Sequence, residues 1–141
     1  MKIAVDIDGV LRDTMPGFWK YYNKKNSTNY DVNKQSEYEI TKILGISLDE
    51  ACKLLDEYCL SEDFKMVNPI DGSKEAILLL RESHELFAIT ASPSWMEEMT
   101  WEFFEKHFAD SFSQLIFSGE FYPGQTLKSK DKICEDLGIG M

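Results

Sequence analysis

Basic residues are scarce in this sequence, and their scarcity argues against a surface that binds nucleic-acid polymers. Fifteen Lys and Arg stand against 25 Asp and Glu, for a formal net charge of −10 and a pI near 4.6. Nucleic-acid surfaces need clustered Lys and Arg to neutralise phosphates. We therefore expect no nucleic-acid polymer as a partner, and we expect a cation to help hold any phosphate group that binds.

Long apolar runs and closely paired cysteines are also missing. Segment 1–10 carries one lysine and then acidic residues inside its apolar stretch, so it resembles neither a secretion signal nor a membrane span. We expect a cytoplasmic protein without a membrane partner. Cys52, Cys59 and Cys134 lack the paired spacing of a zinc site. Cys52 and Cys59 would lie roughly 10 Å apart on one helix, too far for a disulfide, so reduced packing residues are expected.

The sequence is rich in apolar segments that alternate between strand and helix patterns. Hydrophobic residues make up 43% of 141 residues, which suits one globular folding unit over 1–141. The predicted strands cover 2–8, 85–91 and 114–119. The predicted helices cover 48–59 (with Ser47 and Glu50 as a capping box), 73–83, a segment starting at Pro93, and 129–137 before Gly138.

This alternation predicts an α/β fold, with a Rossmann-like parallel sheet flanked by helices. Parallel strands joined by right-handed crossovers leave a ligand crevice at their carboxyl ends. Residues 14–69 interrupt the alternation with helical periods and polar loops, and they predict a small helical cap inserted after the first strand. The remaining segments, 1–13 and 70–141, form the predicted core.

Two aspartates at the end of the first predicted strand are the candidate centre of the site. Asp6 and Asp8 are two positions apart, so they would share one face if strand geometry continued to Asp8. Neighbouring carboxylates need a cation to remain ionised together, and Mg²⁺ prefers such oxygen ligands. Gly9 then permits a tight turn. Asp6 could attack a phosphoryl group, while Asp8 protonates the leaving oxygen and later accepts a proton from water.

Two further side chains are expected at the same edge. Thr90 ends the second predicted strand, and its hydroxyl could donate to a phosphoryl oxygen. A lysine near the start of the last helix could neutralise charge in the transition state. Lys128, Lys130 and Lys132 are the candidates, and we prefer Lys130 because it lies at the helix start, facing the crevice edge.

Structural interpretations of these residues compete with the functional ones. Asp-x-Asp-Gly is also typical of an acidic turn, and Thr90 also suits a strand for packing reasons alone. Ser92 is favoured as a helix N-cap, with phosphate binding as the alternative. The aromatic cluster of the insert is favoured as a buried helix face, with stacking on a nucleobase as the alternative. Its members are Phe18, Trp19, Tyr21 and Tyr22.

The motifs VDIDGVLRD (5–13) and FAITAS (87–92), followed by a lysine-bearing helix start, resemble the first three motifs of the haloacid dehalogenase-like (HAD) phosphohydrolase superfamily. The resemblance implies a Mg²⁺-dependent phosphomonoester hydrolase that acts through a phospho-aspartate on a small phosphorylated metabolite, with a nucleotide as one candidate. The implied catalytic residues are Asp6 (nucleophile), Asp8 (acid/base), Thr90 and Lys130. Asp6 and Asp8 are the implied metal ligands, and Gly9, Ala91 and Ser92 the candidate substrate-binding residues. The cap position resembles that of 5′-nucleotidase-like members.

The sequence departs from the superfamily's pattern in one respect, and this departure leaves alternative interpretations open. The superfamily's fourth motif, an acidic pair after a further strand, has no counterpart before Met141. The missing strand would leave the first strand as an exposed apolar edge, so we expect a fragment of a longer chain, a homodimer through that edge, or a catalytically incomplete module that acts in binding or self-association. A receiver-type signalling domain fits poorly, because it has no insert after its first strand and needs a phospho-accepting Asp on a later strand.

Overall fold

The computed structural model describes residues 1–33, 40–120, 124 and 126–139. The chain divides into two units, one comprising Met1–Leu11 with Pro69–Met141 and the other Arg12–Asn68. The role of the second unit as a cap stays a prediction. Gly140 and Met141, where the sequence stops before any fourth motif, lie outside the described residues.

The first unit contains a parallel three-stranded sheet, as predicted. Its strands are β1 (Lys2–Asp6), β2 (Glu85–Thr90) and β3 (Gln114–Phe117), in the order β1-β2-β3. The last five residues of β2 are buried, as expected of a central strand covered on both faces. In the part of the chain that the structure describes, β1 pairs with β2 and has no strand on its other edge. The homodimer through that edge stays a prediction.

Each strand ends one or two residues before its predicted limit. After β1 the backbone amides of Val10 and Leu11 both donate to the carbonyl of Ile7, so a turn replaces strand pairing. Gly9 adopts φ of 81°, a left-handed conformation that glycine accepts without steric cost. The strand therefore stops short of its predicted limit at Asp8: β1 ends at Asp6, and Asp8 forms an isolated bridge just before the turn over 9–11.

The helices flank the sheet or form the second unit. They are α1 (Thr14–Asn26), α2 (Ile40–Leu44), α3 (Leu48–Cys59), α4 (Glu62–Lys65), α5 (Ser73–Arg81), α6 (Glu97–His107) and α7 (Lys130–Leu137), with a short 3₁₀ helix at Ser94–Met96. Among the described residues no helix combines the length and apolar character needed to cross a membrane. Cys52, Cys59 and Cys134 are free thiols.

Local sequence signals account for the ends of α3 and α7. The Ser47 hydroxyl accepts from the backbone N–H of Glu50, and the Glu50 carboxylate accepts from the backbone N–H of Ser47. These two bonds form the predicted capping box. Ser129 caps α7, and Gly138 ends it with φ of 69°. The prediction for Ser92 is wrong, because a 3₁₀ helix without a side-chain cap precedes α6 and the Ser92 hydroxyl has another partner, described below.

The second unit has an aromatic core. Phe18 and Trp19 of α1 and Tyr58 of α3 are fully buried, and the Phe18 ring lies edge-on to both of the others. Gly17 lets α3 approach closely, since a Cβ there would lie 2.2 Å from the Tyr58 hydroxyl. That hydroxyl donates to the carbonyl of Thr14 at 3.2 Å. The interpretation of the aromatic cluster as a buried face is confirmed for Phe18 and Trp19.

Candidate active site

The candidate site lies at the carboxyl ends of β1 and β2. Asp6 is the last residue of β1 and Thr90 the last residue of β2. The register pairs Asp6 with Ile89, so Thr90 lies one residue beyond the partner of Asp6. The two strand ends, and the loops that follow them, therefore bring the predicted residues to one edge of the sheet.

Asp8 is held by two hydroxyl groups from the end of β2. The Thr90 hydroxyl donates to Asp8 Oδ2 at 3.0 Å, and the Ser92 hydroxyl donates to the same oxygen at 3.3 Å. The Thr90 oxygen also accepts from the backbone N–H of Ser92 at 3.1 Å, and Thr90 is fully buried. Thr90 and Ser92 thus form a small network that orients one oxygen of Asp8. Ala91, which lies between them, adds no polar side-chain atom.

Asp6 has a cation for its partner. Lys130 Nζ donates to Asp6 Oδ1 at 2.8 Å, and the backbone N–H of Ile7 donates to the same oxygen at 3.0 Å. The Lys130 and Asp6 side chains are 34% and 46% exposed, so solvent screens this ion pair in part. The contact joins residues 124 positions apart in the sequence.

Of the three candidate lysines, Lys130 is the one that reaches the aspartates. Lys128 pairs with Asp136. Lys132 pairs with Glu135 at 3.1 Å and with Asp136 at 3.6 Å. Both of these lysines make their ion pairs on the surface near α7.

Two residues that the sequence analysis did not single out connect β3 to this site. Ser118 follows β3, is fully buried, and donates its backbone N–H to the carbonyl of Thr90 at 2.9 Å. Its hydroxyl donates to Glu120 Oε2 at 2.9 Å, and the same carboxylate oxygen accepts from the backbone N–H of Lys130 at 3.1 Å. A signal was present, since Ser118 and Gly119 end the predicted strand 114–119 and Glu120 follows it, at the edge where Thr90 lies.

The donor atoms at the strand ends suit a hard cation. Asp6 and Asp8 both offer carboxylate oxygens at this edge. Mg²⁺ is held in proteins by one or two carboxylates together with waters and substrate phosphates. Over residues 1–33, 40–120, 124 and 126–139 no three His, Cys, Asp or Glu side chains converge to form a larger metal cage. Two carboxylates therefore fit Mg²⁺ better than Zn²⁺.

Comparison with solved structures identifies the fold. A haloacid dehalogenase-like family hydrolase from Streptococcus pneumoniae aligns over 98% of this chain and 70% of its own, with a TM-score of 0.62 and 15% identity. The HAD-hydrolase YfnB from Bacillus subtilis, whose structure was solved bound to magnesium, aligns over 90% of this chain and 76% of its own, with a TM-score of 0.57 and 13% identity. This chain has the HAD fold.

Sequence comparison adds a relative among curated proteins. A protein of Halalkalibacterium halodurans named "Putative nucleotidase BH1399" is 30% identical over 105 residues, which cover 74% of this chain and 53% of that protein. The chain spans about half the length of the curated relatives it matches. No family model matches the chain. Within this fold, Asp6 and Thr90 end their strands at the carboxyl edge of the sheet, Asp8 follows β1, and Lys130 begins α7.

Proposed function

We propose that this chain carries the phosphoryl-transfer site of a Mg²⁺-dependent phosphomonoester hydrolase that works through a phospho-aspartate. The observation that carries the proposal is the pairing of Asp6 with Lys130 beside the pairing of Asp8 with two hydroxyls. The HAD fold and the nucleotidase names of the curated relatives support it.

The different partners of the two carboxylates support different roles. A lysine ammonium can only donate, so the oxygen of Asp6 that faces Lys130 must remain an acceptor, as a nucleophilic carboxylate must. A hydroxyl can donate or accept, so Thr90 and Ser92 can stay bonded to Asp8 whether or not it carries a proton. Asp6 is therefore the better nucleophile and Asp8 the better acid/base.

The proposed reaction has two steps. Asp6 attacks phosphorus to form an acyl phosphate, and the bond to the leaving oxygen breaks as Asp8 gives that oxygen a proton. Water then attacks the acyl phosphate and gives its proton to Asp8, which restores both carboxyl groups and releases inorganic phosphate. Mg²⁺, when bound by Asp6 and Asp8, would supply positive charge to the phosphoryl oxygens.

Lys130 and Thr90 would change partners when the phosphoryl group arrives. The Lys130 ammonium has three N–H donors, so it can bond a phosphoryl oxygen as well as Asp6. The Thr90 hydroxyl has one hydrogen, which it directs to Asp8 here. To bond a phosphoryl oxygen it must rotate away from Asp8, while the backbone N–H of Ser92 still holds its oxygen in place. Gly9 and Ala91 leave room for the substrate by adding little or no side chain.

The substrate class that we propose is a small phosphorylated metabolite, with nucleoside monophosphates tested first. The test measures phosphate release from p-nitrophenyl phosphate and from nucleoside monophosphates, with Mg²⁺ and with EDTA. We expect Mg²⁺-dependent turnover that Asp6→Asn abolishes, and an acid-stable, hydroxylamine-labile phosphoprotein after reaction with labelled substrate. If the chain binds no Mg²⁺ and releases no phosphate from any of these compounds, the proposal fails.

A further inference from the structure

The start of α7 is bonded to the sheet through a carboxylate that the proposed mechanism does not use. Lys130 is the first residue of α7, and its backbone N–H is one of the amides that have no partner within the helix. Glu120 Oε2 accepts from this amide at 3.1 Å. Lys130 is therefore held at two points, with Glu120 at its backbone and Asp6 at its ammonium.

Glu120 is in turn fixed to the end of the sheet through Ser118. The Ser118 hydroxyl donates to Glu120 Oε2 at 2.9 Å, and the backbone N–H of Ser118 donates to the carbonyl of Thr90. Because Ser118 is fully buried, its position follows that of the strands. A continuous chain of hydrogen bonds thus runs from the end of β2 to the first residue of α7.

The other cap of α7 cannot provide this connection. Ser129 accepts from the backbone N–H of Lys132 at 3.3 Å, a bond within the first turn that forms wherever the helix lies. The bond from Lys130 to Glu120 depends on where the helix begins relative to the sheet. Glu120 Oε2 accepts from the backbone amide of Lys130 and from the Ser118 hydroxyl, while the Lys130 ammonium donates to Asp6.

We propose that Glu120 is the positioning residue for Lys130: it fixes the start of α7 against the sheet so that the ammonium lies on the phosphoryl site. The inference rests on the proposed function for its catalytic consequence. A shift of about 1 Å at the helix start would take Lys130 Nζ from 2.8 Å to beyond hydrogen-bond range of Asp6. A misplacement of that size costs on the order of 10²-fold in rate.

A double-mutant cycle tests the effect of Glu120 on catalysis. We expect Glu120→Ala to lower kcat by about 10- to 100-fold with a smaller change in KM, and to have less than a twofold effect when Lys130 is already alanine. Glu120→Gln keeps an acceptor oxygen and should recover most of the activity. Glu135→Ala, on the same helix, is the matched control and should behave like wild type. An equal loss in both backgrounds, or no loss at all, overturns the proposal.

An amine-labelling experiment tests the position of the Lys130 ammonium without measuring enzyme activity. The rate at which each lysine is acetylated by a reactive ester is measured by peptide mass spectrometry in the intact chain. We expect Lys130 to react severalfold faster than in wild type both in Glu120→Ala and in Asp6→Asn, with the rates of Lys128 and Lys132 unchanged. An unchanged Lys130 rate in Glu120→Ala overturns the proposal. If Lys130 responds but wild type hydrolyses nothing, the proposed function fails and the positioning role survives.

Discussion

The Lys130→Ala variant distinguishes a catalytic role for this lysine from a structural one. The variant removes the ammonium that lies 2.8 Å from Asp6 Oδ1 and leaves the backbone bond to Glu120 in place. Removing one preorganised donor from a transition state costs about 10²- to 10³-fold in kcat, or about 2.7–4 kcal/mol. We expect a loss of that size in the hydrolysis of p-nitrophenyl phosphate.

The stability of the folded chain should change much less. The two side chains of the ion pair are 34% and 46% exposed, and exposed pairs contribute about 0–1 kcal/mol because water and salt screen them. In a chain of this size, 1 kcal/mol corresponds to a Tm shift of only a few degrees. The activation barrier for hydrolysis should therefore rise by several times more than the free energy of unfolding falls.

The measurement is steady-state kinetics beside urea unfolding, for Lys130→Ala and for Lys132→Ala. Lys132 is a matched control because it lies on the same helix and pairs with Glu135 at 3.1 Å. We expect its variant to lose at most about 1 kcal/mol of stability and no activity. The reasoning is refuted if Lys130→Ala keeps kcat within about threefold of wild type, or if Lys132→Ala loses as much activity.

Three further changes test contacts elsewhere in the chain. Gly17→Ala should destabilise the chain by about 1–3 kcal/mol in urea unfolding, since its Cβ would lie 2.2 Å from the Tyr58 hydroxyl. Adding Tyr58→Phe should recover part of that loss. Strictly additive losses in the double variant would contradict the contact. Thr90→Val should cost about 1–3 kcal/mol because it leaves the backbone N–H of Ser92 without its acceptor, whereas Thr90→Ser should cost less. Burial, with a smaller contribution from nearby lysines, lowers the pKa of His107 below its usual 6.5. As the pH is lowered through 6.5, the unfolded state therefore binds more protons than the folded state, and the free energy of unfolding should decrease. The decrease should be smaller in His107→Gln.

The sheet and the helix ends could be predicted because each depends on local sequence. Buried apolar runs separated by helical periods indicate parallel strands, and β2 is such a run. Ser47 with Glu50, and Gly138 after α7, are signals that need no knowledge of the rest of the chain. The choice of Lys130 also followed from its place at the helix start, and the structure shows this lysine on Asp6.

The partners of individual side chains could not be predicted in the same way. Ser92 looks like a helix cap in sequence, because a hydroxyl before a helix usually bonds the helix's own amides. Its hydroxyl instead bonds Asp8, which is 84 positions away. Glu120 was missed for a similar reason, since a lone acidic residue after a strand is ordinarily a solvated charge. Only the placement of the start of α7 beside the loop that follows β3 makes Glu120 a cap for Lys130.

The register between β1 and β2 decides which residues surround Asp8. Asp6, the last residue of β1, is paired with Ile89, and Asp8 follows two residues later, where the hydroxyls of Thr90 and Ser92 bond it. A slip of β1 by one residue along β2 would break the pairing of Asp6 with Ile89, move Asp8 relative to these two hydroxyls, and turn the apolar residues of β1 to the opposite face of the sheet. The packing that opposes such a slip therefore also holds Asp8, the proposed acid/base, in place, and for this reason we expect substitutions in the apolar residues of β1 to alter activity as well as stability.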